Sequence, residues 1–260
     1  MTVYASKLIN GKGEQGFCGD DNMTRAEACT VLIRLEDLLK NGGGGTTDPD
    51  PGPSEPVVPT MKDIVVTTAS AANNSTSYSI ADNGNPDGYL ANGKPINEEN
   101  IAELIEKAKA IWPNDMTWTE RTKSNNNWYA NPSSIARTML SSTGTGASDN
   151  NSANYACGGF GAMISDYLFG KTSNQYHRVS NFEDIHPGDI VVMLNANNTN
   201  NHTMIVTSIV QTGSRAGCVF CAEGNVGDTV QWPGTNSYDA WNSTDLAAHG
   251  SYVILSRWPA

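Results

Sequence analysis

Residues 41–59 read NGGGGTTDPDPGPSEPVVP, and they limit the possible fold more than any other stretch of the chain. Glycine, proline and acidic residues dominate this stretch, so it has no apolar face to bury. Such a segment is flexible at its glycines and stiffer at its prolines, which is typical of a linker between domains. We therefore predict an N-terminal segment at 1–40, a linker at 41–60 and a main domain at 61–260, whose core lies at about 141–260.

The N-terminal segment has a pattern typical of one amphipathic helix. Thr24 and Glu27 are spaced as a capping box, in which each side chain accepts a hydrogen bond from the backbone of the other residue. Apolar residues then recur at helical spacing as far as Leu39, which predicts a helix over about 25–40. Such a helix needs neighbours, because alone it cannot bury its apolar stripe.

The stretch MTRAEACTVLIRL, residues 23–35, is similar to the second half of an S-layer homology repeat. In that family a loop leads into Thr-Arg-Ala-Glu-Ala and an amphipathic helix, and complete modules bind cell-wall polysaccharide. The first helix of the repeat and its sister repeats are missing from this sequence. The resemblance therefore implies a chain that begins inside a longer natural protein, one that is extracellular and associated with the cell wall of a Gram-positive-type bacterium.

The net charge limits the partners of the protein. A formal net charge of −11 argues against nucleic acid and anionic membrane surfaces, because both are negatively charged themselves. No stretch approaches the roughly 18 apolar residues that a membrane span needs. The first residues, MTVYASKLINGKGEQGF, lack the basic start and apolar core of an export signal, so either the protein is cytoplasmic or this start is not the natural one.

The main domain has the element order of an α+β fold. In PINEENIAELIEKAKAIW, apolar residues at helical spacing predict a helix with Asn97 as its N-cap. The spacing from Phe160 to Leu168 predicts a second helix with one buried face. Strand-like runs then follow in NFEDIHPGDIVVMLN, NHTMIVTSIV, GCVFCAEGN and GSYVILSRW. One helix followed by about four antiparallel strands predicts a helix packed on a sheet.

One of the five cysteines has the surroundings of a nucleophile. Cys157 precedes Phe160 by three residues, so it lies at the start of the second predicted helix and on the side of its apolar face. The partial positive charge of a helix N-terminus favours a thiolate over a thiol. Gly158 and Gly159 would let a substrate approach the sulfur. The alternative interpretation is a small buried residue at a tight helix entry.

The motif CVFC at 218–221 looks like a metal or redox site. On a strand, however, residues i and i+3 point to opposite faces with Cα atoms about 10 Å apart, which is too far for a disulfide. No second Cys/His pair is spaced to complete a zinc site. We therefore predict buried structural thiols and no metal site.

A thiolate nucleophile needs an imidazole partner, and His202 differs from the other three histidines in opening a strand, HTMIVTSIV. A histidine at the end of a strand, on the rim of the sheet, is well placed to face a helix N-terminus. Glu223 and Asn225 are two residues apart and so point to the same face of a strand. Either could accept the ring N–H of His202 and hold its orientation.

The order of these residues resembles that of the papain-like cell-wall hydrolases, namely the CHAP amidases and the NlpC-type peptidases. HPGDIVVML matches their PGD strand entry, and AEGN resembles the CHAP pattern at the third and fourth active-site positions. The resemblance covers about residues 150–258. It implies a papain-like fold with a helix on an antiparallel sheet of about four to six strands. It also implies the roles of the site: the nucleophile Cys157, the base His202, the orienting residue Glu223 and the auxiliary residue Asn225.

The neighbours of the nucleophile differ from those of the two families. Those families often carry Gln-Cys or Asp-Cys-Ser, whereas this chain has Ala156-Cys157-Gly158, so their side-chain oxyanion donor is not identified here. The backbone N–H of Cys157 is one donor, and Tyr155 or Asn154 is the candidate for another.

The resemblance implies a cell-surface cysteine hydrolase that cleaves amide bonds in peptidoglycan, as an amidase or an endopeptidase, through a thioester and without a cofactor. Two alternatives stay open. The same fold could act on proteins, as a protease or a transglutaminase-like acyl transferase, or the chain could be a non-catalytic module that binds the envelope. The complete set of site residues favours an enzyme, because a degenerate module tends to lose one of them.

Overall fold

The computed structural model describes residues 59–143, 153–195, 200–234 and 239–260, without the side chains of residues 200 and 201. These residues belong to one compact unit, Val58–Ala260. The predicted S-layer-like helix and almost all of the predicted linker lie outside the described residues.

The described chain contains helices and strands in mixed order. Its four α-helices are α1 (Glu98–Ile111), α2 (Ser134–Ser141), α3 (Ala156–Phe169) and α4 (Ser243–Ala248). Its nine strands are β1 (Val66–Ser70), β2 (Thr76–Ile80), β3 (Trp128–Tyr129), β4 (His177–Val179), β5 (Ile190–Leu194), β6 (Asn200–Ile209), β7 (Val219–Val226), β8 (Thr229–Gln231) and β9 (Ser251–Ser256). Short 3₁₀ turns occur at Ala72–Asn74 and Phe182–Asp184. None of these helices is long and apolar enough to cross a membrane.

The larger sheet has six strands within the described residues, in the order β4-β9-β5-β6-β7-β8. Every neighbouring pair in it is antiparallel. Five apolar residues in a row, IVVML, form β5, and all five are buried because the strand is covered on both faces. The α+β class predicted from the sequence is confirmed.

A second, smaller sheet comes from the part of the chain before the site residues. β1 and β2 pair as an antiparallel hairpin, and the two residues of β3 pair in parallel with β2. The strand-like runs named in the sequence analysis all belong to the larger sheet, so this smaller sheet was not predicted. β2 and β3 both contact α3, so the small sheet also packs against this helix.

Helix α3 is buried on every side, whereas the sequence pattern predicted one buried face. All 14 of its residues are buried. α3 contacts β6 and β7 of the large sheet, β2 and β3 of the small sheet, and the helices α1 and α2. A helix that is apolar almost all round is typical of such a central position.

Helix α1 agrees with its prediction. The side chain of Asn97 accepts a hydrogen bond from the backbone N–H of Asn100, and Glu98 and Glu99 lie in the first turn, where the helix dipole favours acids. The buried residues of α1 form one stripe: Ile101, Leu104, Ile105 and Ala108. This stripe contacts α3, so α1 serves as scaffold.

A buried arginine forms hydrogen bonds at the C-terminal end of α3. Arg257 donates to the backbone oxygens of Gly170 at 2.8 Å, Ser173 at 2.7 Å and Asn174 at 2.8 Å, and it pairs with Asp166 at 3.2 Å. The side chains of Arg257 and Asp166 are 1% and 0% exposed. This network joins the last segment of the chain to the central helix.

Candidate active site

The helix that carries the predicted nucleophile begins one residue before it. Cys157 lies in the first turn of α3, and it is only 4% exposed. The sequence pattern had placed it at a helix start, and the structure places it there.

The backbone next to Cys157 is strained. Ala156 has a φ of +52°, in the left-handed region, which costs a residue with a side chain about 1–2 kcal/mol. Its N–H donates to the backbone oxygen of Thr119 at 3.1 Å, and its carbonyl accepts a hydrogen bond from Nε1 of Trp118 at 2.8 Å. Two consecutive residues of a distant segment therefore hold the peptide groups on both sides of Ala156.

His202 and Glu223 meet across neighbouring strands. Met204 of β6 pairs with Glu223 of β7, so His202, two residues before Met204, lies diagonally opposite Glu223 on the same face. Nε2 of His202 and Oε2 of Glu223 are 2.6 Å apart, and each side chain is 22% exposed. Of the two predicted partners for the histidine, the structure brings Glu223 into contact.

A side-chain hydrogen bond also joins His202 to Cys157. Burial alone lowers the pKa of His202, but its hydrogen bonds to Cys157 and Glu223 and the negative charge of both partners raise the pKa to about 10. Because Glu223 engages Nε2, Nδ1 is the ring nitrogen left to face the thiol. The site can therefore hold a protonated imidazole next to the sulfur of Cys157, an arrangement that can activate a cysteine nucleophile.

Gly224 lets the strand β7 pack closely against the helix α3. A Cβ at Gly224 would lie 2.4 Å from Cβ of Phe160 and 2.9 Å from Cδ1 of Trp118. Only a glycine lets β7 approach the first turns of α3 this closely. The close approach holds the strand that carries Glu223 against the helix that carries Cys157.

Asn225 does not contact the histidine ring through a hydrogen bond within the described residues. Its φ is +66°, and the β7–β8 pairing shifts register between Gly224 and Val226. Asparagine tolerates this left-handed conformation better than most residues do. The auxiliary role of Asn225 stays a prediction.

The two candidate side-chain oxyanion donors flank the start of α3. Tyr155 is the N-cap residue, and its ring stacks on Trp128 with centroids 6.0 Å apart. Nδ2 of Asn154 donates to the backbone oxygen of Tyr129 at 2.7 Å. Because the Asn154 amide already ties β3 to the loop before α3, the backbone N–H of Cys157 is the stronger candidate donor.

The role expected for Gly159 needs a correction. The sequence suggested that this glycine leaves room for a substrate beside the sulfur. A Cβ at Gly159 would instead lie 2.4 Å from the carbonyl carbon of Asn154. The space is taken by the protein's own chain as it turns into α3, so the glycine is required by the fold.

Cys218 and Cys221 are buried free thiols. Burial, together with the charge of Glu223, raises the pKa of the Cys221 thiol. No cluster of three or more metal-ligating side chains occurs in the part of the chain that the structure describes.

Sequence reasoning missed Trp118 and Thr119, which hold the backbone beside the nucleophile. Trp118 is completely buried, and its ring packs edge-on against Phe160 with centroids 5.7 Å apart. The segment DMTWTER carries no periodic pattern. Its one signal was a tryptophan in an otherwise polar stretch, which has to find both an apolar environment and an acceptor for its N–H.

We compared the chain with known protein families, with curated proteins and with solved structures, and none of the three comparisons gave a match. The chemistry of the site therefore has to be argued from its geometry.

Proposed function

We propose that the protein is a cysteine hydrolase of amide bonds, with Cys157 as nucleophile, His202 as base and acid, and Glu223 as orienting residue. The observation that carries this proposal is the hydrogen-bonded chain from Cys157 through the ring of His202 to the carboxylate of Glu223. A helix on an antiparallel sheet, with Cys, His and Glu in that order along the chain, supports a papain-like architecture.

Within this class, we propose peptidoglycan as the substrate, cut either at the sugar–peptide link or within a peptide cross-bridge. Two resemblances support this choice: the order of the CHAP- and NlpC-like motifs, and the S-layer-like stretch at residues 23–35. Both families act at the cell wall. On this proposal the protein works outside the cell, on the wall of a Gram-positive-type bacterium, with Asn225 as an auxiliary residue.

Acylation is the first half of the proposed reaction. The thiolate of Cys157 attacks the carbonyl carbon of the amide, a C–S bond forms, and the oxygen becomes an oxyanion. The backbone N–H of Cys157 donates to this oxyanion. The imidazolium of His202 gives its proton to the leaving nitrogen, the C–N bond breaks, and the amine departs.

Deacylation restores the enzyme. Neutral His202 takes a proton from water, and the resulting hydroxide attacks the thioester carbon. The C–S bond breaks, the carboxylic acid product leaves, and the thiolate stands again beside an imidazolium. Glu223 keeps the same ring nitrogen engaged through both halves, so the ring does not have to reorient.

Digestion of purified peptidoglycan by the full chain tests this function. We expect mass spectrometry of the released muropeptides to reveal one new free amine and one new carboxylic acid per cut. Cys157→Ala should abolish the cut, and Cys221→Ala is the matched control, because it removes a buried thiol that has no part in the mechanism. Turnover by Cys157→Ala at the wild-type rate would refute the nucleophile assignment.

Alkylation by iodoacetamide tests the activated thiol without any substrate. We expect Cys157 to be labelled faster near neutral pH than Cys218 and Cys221, which are buried and have no part in the proposed mechanism. Equal labelling of the three would favour an inert thiol and hence a non-catalytic envelope module. Cleavage or cross-linking of proteins, with intact muropeptides, would instead favour a protease or acyl transferase.

A further inference from the structure

Trp118 forms a hydrogen bond to the peptide group between Ala156 and Cys157. Its indole N–H donates to the carbonyl of Ala156 at 2.8 Å. This carbonyl and the N–H of Cys157 belong to the same peptide unit. In a planar trans peptide the two groups point in opposite directions. Fixing the carbonyl therefore fixes the direction of the Cys157 N–H.

We propose that Trp118 is a positioning residue that aims the Cys157 N–H at the oxyanion formed during acyl transfer. The inference rests on the proposed hydrolase function and adds a residue to it. The hydrogen bond from Trp118 also polarises the amide, which makes the N–H a stronger donor.

The surroundings of Trp118 hold both its ring and its backbone in place. Its ring is completely buried between Phe160 and Tyr78, with centroid distances of 5.7 and 6.2 Å. Its backbone N–H donates to the oxygen of Asp228, in the turn between β7 and β8, at 2.9 Å. The strand that carries Glu223 thus leads directly into the turn that holds Trp118 in place.

The positive φ of Ala156 is a second, independent observation. A residue other than glycine keeps this conformation only where its surroundings impose it. Here Thr119 binds the N–H of Ala156 while Trp118 binds its carbonyl. Two hydrogen bonds thus hold a strained backbone at the peptide unit of the nucleophile, and strain of this kind is typical of functional sites.

Replacing Trp118 with Phe tests the proposal, because the ring packing is largely kept and the N–H is lost. Trp232→Phe is the matched control. Trp232 also packs edge-on against Phe160, at 5.9 Å, and also donates its Nε1 N–H to a backbone carbonyl, that of Trp112, at 2.6 Å. Both variants lose an indole N–H from the same hydrophobic core, but only Trp118→Phe loses it beside Cys157.

We expect Trp118→Phe to lower kcat by about 10- to 100-fold with KM nearly unchanged, since a misaimed oxyanion donor weakens only the transition state. The affinity for a peptide aldehyde, whose adduct with Cys157 carries the oxyanion, should fall in parallel. Alkylation of Cys157 by iodoacetamide creates no oxyanion on carbon, so its rate should not change. Trp232→Phe should leave all three quantities close to wild type.

Two results would overturn the inference alone: equal kinetics for Trp118→Phe and Trp232→Phe, or an alkylation rate that falls together with kcat. If Trp118→Phe does not fold, as judged by circular dichroism, Trp118→Tyr replaces it, because it fills more of the site and carries no indole N–H. A wild-type protein that cuts no amide would overturn the hydrolase function itself, and this inference with it.

Discussion

Glu223 is the residue that orients the ring of His202 and helps to set its pKa. Its carboxylate holds Nε2 at 2.6 Å, and its charge helps to raise the pKa of the ring to about 10. At neutral pH the ring is therefore protonated and can serve as the acid for a leaving amine. Asn225, on the same strand, could supply a hydrogen bond but not this charge.

We predict that Glu223→Gln lowers kcat/KM by about 10- to 100-fold, which is less than the loss expected on removing the base itself. In the wild type, activity should fall as the pH rises through about 10, where the imidazolium loses its proton. Without the carboxylate the pKa of His202 drops, so this alkaline limb should move to lower pH. The pH dependence of kcat/KM measures both effects.

Asn225→Gly is the control for this experiment. Glycine accepts the left-handed backbone of position 225, so the variant removes the side chain without adding strain. An alkaline limb that moves in Asn225→Gly and stays in place in Glu223→Gln would assign the orienting role to Asn225.

At the scale of elements, the site depends on how closely β7 approaches α3. The sequence pattern placed Glu223 on a strand and Cys157 at a helix start, and both placements agree with the structure. It did not reveal that the residue between Glu223 and Asn225 must be a glycine. That requirement comes from Phe160 and Trp118, which belong to other elements.

We predict that Gly224→Ala destabilises the fold by about 1–3 kcal/mol, the usual cost of overpacking a core. The added methyl group would push β7, which carries Glu223, away from α3, which carries Cys157, so activity should fall by more than the loss of folded protein explains. Urea unfolding and assays on the folded fraction separate the two effects.

Gly161→Ala serves as the matched control for Gly224→Ala. The nearest atom to its added methyl group is the Thr203 side-chain methyl, at 2.9 Å, which can rotate away more easily than a ring. Similar losses in the two variants would contradict a special role for the approach of β7.

At the scale of the whole molecule, one buried ion pair connects the last segment of the chain to the central helix. Arg257 comes after the last strand, and Asp166 lies within α3, where it also accepts hydrogen bonds from the hydroxyl groups of Tyr129 at 2.9 Å and Ser133 at 2.6 Å. A pair this deep brings little net stability over an apolar pair, but breaking it leaves a buried charge.

We predict that Arg257→Met destabilises the protein by about 3–5 kcal/mol, because Asp166 would stay buried without its partner. Thermal unfolding followed by circular dichroism measures the loss. The control is Lys107→Met, which breaks the solvent-exposed pair with Glu103 and should leave the melting temperature unchanged. A wild-type melting temperature for Arg257→Met would contradict the role of the pair.

Asp189 adds a pH dependence to the stability of the whole domain. It lies just before β5, completely buried, and Oδ1 has no hydrogen-bond partner among the described residues. Burial raises its pKa to about 7, although hydrogen bonds from the Ser256 hydroxyl and from the backbone N–H of His186 oppose the shift.

The folded state holds this proton more tightly than the unfolded state does. We therefore predict that the free energy of unfolding falls as the pH rises from about 4 to about 7. The slope contributed by Asp189 is up to about 1.4 kcal/mol per pH unit. Asp189→Asn should remove this contribution, so the difference between the two urea-unfolding curves measures it. Parallel pH dependences in the variant and the wild type would contradict the prediction.

Patterns between neighbours in the sequence were sufficient for the α+β class, for the cap of α1 and for the placement of Cys157, His202 and Glu223 on their elements. Capping, helical spacing and strand alternation depend on residues a few positions apart, so a single sequence reveals them. The small sheet, the burial of α3 on every side and the pairing of Asp166 with Arg257 had no such local signal.

The hydrogen-bonded chain from Cys157 to Glu223 and the support of Ala156 by Trp118 arise only when the elements pack together. Trp118 and Ala156 are 38 positions apart, and no local pattern relates them. Glu223 and Asn225 were equivalent in the sequence, because both point to the same face of a strand. The register between β6 and β7 brought Glu223 to the histidine, and the space that Gly224 leaves beside Phe160 lets β7 pack closely on the helix of Cys157. Chemistry at this site therefore depends on distances between elements, which packing sets and sequence spacing does not.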